Sequence, residues 1–418
     1  MKKIQKPICL MLVCLMLLLS GCGGSDVDVE PTEAPTQTPE PTPEPTPEPT
    51  PTPDAHQIVL SADVDKAELL FDDDFMTLVS FNAGDELVLR AEEPVAGLYL
   101  VWNTYPEPWE LTAGGWSITA GENGFLHEYV ALPEAAEELT IHIPQSTGLD
   151  LCDVYAVSEG ILPDWVQLWL PPCEKADILV ASTHADDEFI FFGGLIPTYG
   201  AERGLEVQVI YLTSHYRGSE RYRCHEQLNG LYVAGVRHVP VINPVRDYIF
   251  DDLQGAASYY GHWDFIDFQV RQIRRFQPLV IVDQAENGEY GHPVHQFNAF
   301  SMEEAVVRAA DPEYQPESVE LYGTWDTPKT YLHLYGEKEQ RTMLNYETPL
   351  EAFDGLTGYE VAVKAYAEHY SQQHWSFEIY SFDSPYDSHS FGLYRSLVGP
   401  DVEKNDLMEN ISVDDWRS

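Results

Sequence analysis

Acidic and imidazole side chains are concentrated directly after a short apolar run in this 418-residue chain. The run covers residues 178–181 and is typical of a buried strand. The side chains that follow it are His184, Asp186, Asp187 and Glu188. In open α/β sheets the ligand crevice lies just beyond the carboxyl ends of the strands. Because these ionisable groups are costly to leave unpaired, the pattern indicates a bound cation. The alternative is a helix N-terminus, where acids are favoured.

A second cluster follows another apolar run, residues 279–282, which also predicts a buried strand. Its ionisable residues are Asp283, Glu286, Glu289, His292 and His295. The two clusters are far apart in the sequence, so only the fold could bring them together.

Two imidazoles and one carboxylate, with an open fourth position for water, form the ligand set of a catalytic zinc site. We therefore predict that His184, Asp187 and His295 are metal ligands. Asp186, which lies beside them, is left as an unligated base. Zinc suits this set, although Fe(II) or Co(II) could occupy the same ligands.

Three motifs resemble the LmbE-like, or PIG-L, family of zinc deacetylases that act on N-acetyl amino sugars. The family has His-Pro-Asp-Asp-Glu after its first strand, and residues 184–188 read HADDE. It has His-Pro-Asp-His or His-x-x-His after a later strand, and residues 292–295 read HPVH. Residues 223–226 (RCHE) fit its Arg-x-x-Glu helix. The departures are Ala185 for proline and Val294 for aspartate, and neither removes a predicted ligand. Val294 does remove a carboxylate that could tune a neighbouring histidine.

The resemblance covers about residues 174–395 and implies hydrolysis of an acetamide to acetate and a free amino sugar. A zinc ion would lower the pKa of its bound water and polarise the carbonyl. Asp186 would take the proton, and His292 would stabilise the oxyanion or protonate the leaving amine. Arg223 would anchor sugar hydroxyls, with a helix salt bridge to Glu226 as the alternative.

The other residues of the two clusters are predicted to contact the substrate or to orient a ligand, and the histidines outside the clusters have no predicted role in the site. Glu188 is predicted to bind substrate or to orient a ligand. Glu289 and Tyr290 flank the second cluster and are predicted to point at the substrate. Three further histidines are predicted to be surface or core residues: His215, His225 and His238.

The N-terminal residues 1–21 have the features of a lipoprotein signal peptide. Lysines precede the apolar residues 7–19, which form a core too short for a transmembrane helix of about 20 residues. Residues 19–22 read LSGC and resemble a bacterial lipobox. That resemblance implies cleavage before Cys22 and a lipid on its sulfur, which would anchor the protein to the outer face of a bacterial membrane. The alternative is an ordinary signal peptide with an incidental cysteine.

The rest of the chain divides by composition and periodicity. Residues 22–55 hold Cys22 and then repeat Pro, Thr and Glu, which predicts an extended, polyproline-like linker. Residues 56–170 contain short apolar runs between turn residues and predict an all-β sandwich. Residues 171–398 alternate strand and helix patterns, which predicts a Rossmann-like α/β domain with a mainly parallel sheet and helices on both faces. Residues 399–418 are interpreted as a C-terminal tail.

The net charge of the chain argues against one class of ligand. The chain has 69 acidic and 23 basic residues, a formal net charge of −46, which excludes nucleic-acid binding through clustered Lys and Arg.

The cysteines and a group of aromatic residues are interpreted as packing residues. Buried free thiols are favoured for Cys152, Cys173 and Cys224, with a Cys152–Cys173 disulfide as the alternative. Packing is favoured over a sugar-binding platform for the aromatic residues Trp102, Tyr105, Trp109 and Trp116.

The leading hypothesis is a metal-dependent hydrolase that removes an N-acetyl group from an amino sugar at the cell surface. One alternative is a catalytically inactive, glycan-binding lipoprotein that uses residues 56–170. The other is a zinc amidase that acts on a different acylated amine. The sequence predicts no oligomeric state.

Overall fold

A computed structural model describes residues 52–379 and 384–417 of the chain. The predicted signal peptide, Cys22 and almost all of the predicted linker lie outside the described residues. Within those ranges, no helix combines the length and the apolar character that crossing a bilayer requires.

The N-terminal part of the described chain is an antiparallel β domain. Its strands are β1 (Gln57–Ile58), β2 (Leu60–Ala62), β3 (Val79–Phe81), β4 (Glu86–Trp102), β5 (Trp109–Ala113), β6 (Trp116–Ala120), β7 (His127–His142) and β8 (Leu149–Val157). Hydrogen bonds join them in the order β1-β8-β4-β7-β5-β6, with β2 on β4 and β3 on β8. The long strands β4 and β7 change register around Arg90 and Val95. The strands therefore pair along one continuous path. The arrangement of this domain as a sandwich of two layers stays a prediction.

Two of the clustered tryptophans belong to the core of this β domain. Trp102 and Trp109 are buried, with ring centroids 5.6 Å apart. Both indole N–H groups donate to Glu128, at 3.3 and 3.1 Å. The packing interpretation therefore holds for these two residues, whereas Tyr105 is exposed. The aromatic group does not form a common platform.

The remaining strands lie in the second part of the chain. They are β9 (Ile178–Ser182), β10 (Val207–Tyr211), β11 (Val241–Ile242), β12 (Val280–Asp283), β13 (Lys329–His333), β14 (Thr342–Met343) and β15 (Ser390–Ser396). The α-helices are α1 (Asp187–Ile190), α2 (Leu195–Pro197), α3 (Glu220–Val233), α4 (Leu253–Tyr260), α5 (His262–Phe276), α6 (Gly288–Gly291), α7 (Pro293–Arg308), α8 (Pro316–Tyr322), α9 (Gly358–Ala367) and α10 (Val413–Arg417). This composition confirms the mixed α/β class.

The strands of the second part form one sheet in the order β11-β10-β9-β12-β13-β15-β14. Neighbours from β11 to β13 are parallel, and β15 is antiparallel to β13 and β14. In β9, Ile178 and Val180 belong to the core that includes residues of α3 and α9, while Leu179 and Ala181 face a core with residues of α5 and α7. Burial on both faces explains the continuous apolar run. The chain order reverses between β9 and β12, where such sheets form their ligand crevice.

The β domain packs against helix α3 through a buried histidine pair. Nε2 of His127 lies 2.8 Å from Nδ1 of His225, and Nδ1 of His127 lies 3.0 Å from the Tyr99 hydroxyl. Burial lowers the pKa of His225 to about 4 and also lowers the pKa of His127. At neutral pH both rings are therefore uncharged. A further contact is the bond from the Arg221 guanidinium to the Met76 carbonyl, at 2.8 Å.

Cys152, Cys173 and Cys224 are buried free thiols, as the favoured interpretation of the sequence expected. Burial raises the pKa of Cys173 to about 12. At neutral pH its thiol is therefore protonated, which suits a packing role.

The stretch interpreted as a C-terminal tail contacts the α/β domain. Its Asp401 accepts a bond from the ammonium group of Lys329 on β13, at 2.6 Å, and another from the Tyr331 hydroxyl, also at 2.6 Å. Lys329 is completely buried. Arg417 donates to the carbonyls of Ala176 and Gln277 at the opposite end of the sheet from the two clusters. Residues of this stretch therefore contact the α/β domain, and the boundary at residue 398 stays a prediction.

Replacing Asp401 by alanine is expected to lower the free energy of unfolding by about 3–5 kcal/mol, because it leaves the Lys329 ammonium group buried without a counter-charge. Urea unfolding of the wild type and the variant measures this difference. The matched control is Asp164→Ala, at an exposed position, for which a change within about 0.5 kcal/mol is expected. An unchanged unfolding midpoint for Asp401→Ala would contradict the prediction.

Candidate active site

Three ligand-type atoms from the two clusters converge at the carboxyl ends of β9 and β12. Oδ2 of Asp187 lies 3.0 Å from Nδ1 of His184 and 3.2 Å from Nε2 of His295. The two nitrogens are 3.1 Å apart. His184 follows β9, and Asp187 begins α1. Pro293 occupies the first turn of α7, as its fixed backbone angle favours, and this start places His295 in the same turn.

This triangle fits a divalent metal ion. Metal–ligand bonds of about 2.0–2.2 Å at a tetrahedral centre place ligand atoms roughly 3.3 Å apart. The three observed edges of 3.0–3.2 Å are close to that value. A wider group, His184 with His292 and His295, brings one nitrogen of each residue within 4.8 Å of the others. The set with Asp187 is tighter and supplies a negative charge, so it is the better ligand set.

Charges within the triangle oppose the effect of burial. Burial alone would raise the pKa of Asp187, but the neighbouring rings of His295 and His184 hold that pKa well below its usual value. Burial also disfavours a charged imidazole, yet Asp187 and Glu289 raise the pKa of His295 to about 9. A metal ion competes with protons for these nitrogens, so binding of a divalent cation would release protons.

Two carboxylates outside the triangle orient its histidines. Oε2 of Glu289 lies 2.7 Å from Nδ1 of His295, which leaves Nε2 facing the triangle. Oδ1 of Asp247 lies 3.3 Å from Nε2 of His184. Glu289 adopts φ 57° and ψ −79°, an unusual backbone conformation of the kind found at functional sites. Glu289 supports a ligand and is buried, which corrects the predicted contact with substrate.

Val294, at a position where the resembled motif has aspartate, lies among apolar side chains. Val294 is fully buried in a cluster with Phe265 and Phe297. Because Glu289 contacts Nδ1 of His295, the loss of an aspartate at position 294 does not leave this ligand without a carboxylate partner.

Replacing Glu289 by glutamine is expected to weaken zinc binding by about 10–100-fold, because the amide loses the charge that strengthens the hydrogen bond to His295. Competition with a chelator of known zinc affinity measures the change. The matched control is Glu304→Gln on α7, where the exposed carboxylate pairs with Arg308. Equal zinc affinities of Glu289→Gln and the wild type would contradict a supporting role.

Asp186 lies beside the triangle, on the wall of a cavity of about 540 Å³. Its backbone has φ 116°, a conformation that non-glycine residues rarely adopt. Burial raises the pKa of its carboxyl to about 6, against the opposing charge of Arg223. A carboxylate with a pKa near neutrality can accept and return protons efficiently.

The Arg223 guanidinium is surrounded by acceptors. It donates to the Ala185 carbonyl, lies 3.3 Å from Oδ2 of Asp186 and pairs with Glu226 at 3.2 Å. It also lies 3.2 Å from Nδ1 of His369. The salt bridge to Glu226, the alternative from the sequence, is thus present. Arg223 also borders the cavity, where it holds Asp186 in place.

Glu188 does not reach the cavity and is completely buried. Its carboxyl accepts bonds from the Asp186 backbone N–H at 2.9 Å and from the Tyr211 hydroxyl at 2.6 Å. Burial raises its pKa to about 8. Glu188 therefore supports the turn that carries Asp186, and its contact with substrate stays a prediction.

Three further residues predicted from the sequence lie at or near the cavity. Tyr290 and His292 border it, and their ring centroids are 5.7 Å apart. The His292 ring lies 4.4 Å from that of His295, and its Nδ1 has no hydrogen-bond partner among the described residues. His215, interpreted as a surface or core residue, also borders the cavity. His238 contacts the Pro171 carbonyl, away from the site.

Sequence reasoning missed the roles of Asp247 and Glu289. Asp247 lies in the loop after β11, which is a strand of two residues and gives little signal. The signal available in the sequence was that Asp247 follows the end of a short strand, as the predicted ligands do. Glu289 was noted as an acid of the second cluster, but the sequence could not show that its side chain faces His295.

No family model matches the chain. A 1D-myo-inositol 2-acetamido-2-deoxy-alpha-D-glucopyranoside deacetylase of Geodermatophilus obscurus is 30% identical over 182 residues, 37% of this chain and 60% of that protein. The Catenulispora acidiphila protein named as deacetylase 1 of the same compound is 27% identical over 186 residues, 38% of this chain and 56% of that protein. The chain thus spans less than two thirds of the length of these relatives.

One solved structure with detectable likeness is the N,N'-diacetylchitobiose deacetylase from Pyrococcus horikoshii, at 19% identity and a TM-score of 0.34. The match covers 48% of this chain and 72% of that one. Over somewhat more than a third of its length, this chain is therefore similar in sequence to proteins named as deacetylases of 2-acetamido-2-deoxy-glucopyranosides.

Proposed function

We propose that this protein is a metal-dependent hydrolase that removes the acetyl group from an N-acetylated amino sugar. The observation that carries the proposal is the triangle of His184, Asp187 and His295, with the unligated carboxyl of Asp186 beside it on an open cavity. Zinc is the proposed cofactor, because two imidazoles and one carboxylate with an open position suit it.

A divalent ion bound by these residues would acidify water and polarise the acetamide carbonyl. Asp186 accepts the proton of the attacking water, and the water oxygen bonds to the carbonyl carbon. Breakage of the C–N bond then requires a proton on the amine nitrogen. Asp186, which holds the proton taken from water, is placed to return it. Burial lowers the pKa of His292 to about 2, so its uncharged ring, on the cavity wall, is suited to stabilising the oxyanion by a hydrogen bond. The products are acetate and a free amino sugar.

Similarity to named deacetylases supports the choice of an N-acetyl sugar as substrate. The relatives are named for a 2-acetamido-2-deoxy-glucopyranoside, whose acetamide is the bond type that this site could hydrolyse. The match falls on somewhat more than a third of this chain.

The proposed location is the outer face of a bacterial membrane, with Cys22 lipidated. Residues 19–22 resemble a lipobox, and the repeats of Pro, Thr and Glu in residues 22–55 would hold the enzyme away from the bilayer. Detergent-phase partitioning of the protein from bacterial cells tests the anchor. Recovery of the mature protein in the aqueous phase alone would rule it out.

Acetate release from N-acetylglucosamine and its conjugates tests the activity. The full chain without its signal peptide is assayed after loading with zinc, after chelation and after zinc is restored. Activity that disappears with chelation and returns with zinc is expected. Glycan binding without any acetate release would instead favour an inactive, sugar-binding protein.

A further inference from the structure

Five side chains that line the cavity in front of the triangle are apolar, and four of these are aromatic; the chemistry of deacetylation does not use them. We call them the aromatic wall: Tyr216, Ile249, Tyr290, Trp375 and Phe377. Trp375 is 56% exposed and Tyr216 is 49% exposed, although both border a concave site. Large apolar side chains that stay exposed around a cavity are typical of a binding surface.

Polar groups are interspersed with these rings. Ser214, Gln372 and His374 border the same cavity, and the His374 ring lies 4.7 Å from that of Trp375. A pyranose ring has apolar C–H faces and a rim of hydroxyls, so it matches a wall of aromatic faces and hydrogen-bonding groups. A long acyl chain has no hydroxyls and would leave those polar groups unpaired.

With a divalent ion bound at the triangle, the formal charges that border the cavity sum to about zero, so they do not favour an anionic ligand. Three carboxylates border the cavity and offset the ion and one guanidinium: Asp186, Asp187 and Asp247. Among its lining residues, all within the described ranges, Arg223 carries the one Arg or Lys side chain. That guanidinium is already engaged by Asp186, Glu226 and a backbone carbonyl. The formal charge of −46 on the whole chain also repels anions at long range.

We infer that the substrate is an uncharged oligosaccharide, in which the sugar next to the one being deacetylated stacks on Trp375. The inference rests on the proposed deacetylation, which fixes where the acetamide lies. It assigns Trp375 as a specificity-determining residue and the aromatic wall as a second sugar-binding position.

The test compares four substrates of the zinc-loaded full chain without its signal peptide. They are N-acetylglucosamine, its neutral β-1,4-linked trimer, N-acetylglucosamine 6-phosphate and N-hexanoylglucosamine. We expect kcat/KM for the trimer to exceed that for the monosaccharide by about tenfold. Trp375→Ala should remove that advantage, mainly through KM, with a change below about threefold for the monosaccharide. The phosphorylated sugar should be the poorest of the acetylated substrates.

The control is Trp416→Ala, which lies on α10 and contacts Trp325, outside the cavity lining. It should leave the preference for the trimer unchanged. Equal losses on trimer and monosaccharide in Trp375→Ala would overturn the inference. So would a loss confined to N-hexanoylglucosamine, or a phosphorylated sugar as the best substrate.

Binding of the trimer to the Asp186→Asn variant, measured by calorimetry, separates this inference from the proposed function. Binding that weakens about tenfold when Trp375→Ala is added supports the sugar position, even if no acetate were released by the wild type. Acetate release with trimer binding that does not depend on Trp375 would keep the proposed function and overturn the inference.

Discussion

Replacing Asp187 by alanine is expected to remove both the bound zinc and almost all acetate release. The substitution deletes one corner of the triangle and leaves His184 and His295 as two neutral ligands without a negative charge. Loss of a metal that contributes several kcal/mol to the transition state lowers kcat/KM by about a thousandfold or more. Zinc content after dialysis and the rate of acetate release measure the two effects.

The matched control for Asp187→Ala is Asp65→Ala, at an exposed position of the β domain. It should keep its full zinc content and activity. Circular dichroism checks that Asp187→Ala is folded. A folded Asp187→Ala protein that still binds one equivalent of zinc would show that the wider group of His184, His292 and His295 is the ligand set.

The meeting of the two clusters could be predicted because strand ends are readable from sequence. Residues 178–181 and 279–282 are apolar runs, and both lie in parallel strands that pair directly, with Val180 opposite Val282. The polar residues after each run must therefore lie at one edge of the sheet. The alternation of strand and helix patterns predicted the mixed α/β class for the same reason.

The direction of individual side chains within the first cluster could not be predicted. Asp186, Asp187 and Glu188 are consecutive, but they face the cavity, the triangle and the interior. The left-handed backbone at Asp186 decides this division, and no residue type in the motif signals it. Spacing therefore predicted which residues gather at the site but could not separate contact with substrate from support of the turn.

The role of the C-terminal residues could not be predicted because they lack a periodic pattern. Their attachment combines the burial of Leu407 and Met408 in the core with single polar contacts, such as Asp401 with the buried ammonium group of Lys329. Lys329 lies in a strand whose residues are all buried. A sequence pattern cannot show which distant acid neutralises the charge of its ammonium group. The role of Asp247 was missed for a similar reason, since it contacts His184, 63 residues away. Glu289 lies only six residues from His295, but spacing alone could not show that the two side chains meet.

Replacing Asp186 by asparagine is expected to lower kcat by about 10²–10⁴-fold while the zinc content stays at the wild-type level. Asparagine has almost the same size and can still accept a hydrogen bond from Arg223, but it cannot take a proton from water. The ligand triangle does not include Asp186, so its three atoms keep their partners. Steady-state kinetics and metal analysis of the same preparation measure both quantities.

The comparison of Asp186→Asn with Asp187→Ala separates two adjacent carboxylates by function. If the site is organised as described, one variant keeps the metal and loses the proton acceptor, while the other loses the metal itself. KM for the sugar should change little in Asp186→Asn, because the aromatic wall of the cavity is intact. Loss of zinc from Asp186→Asn would make this residue a ligand, and wild-type kcat would mean that another group accepts the proton. His292 would then be the residue to replace, since it borders the same cavity.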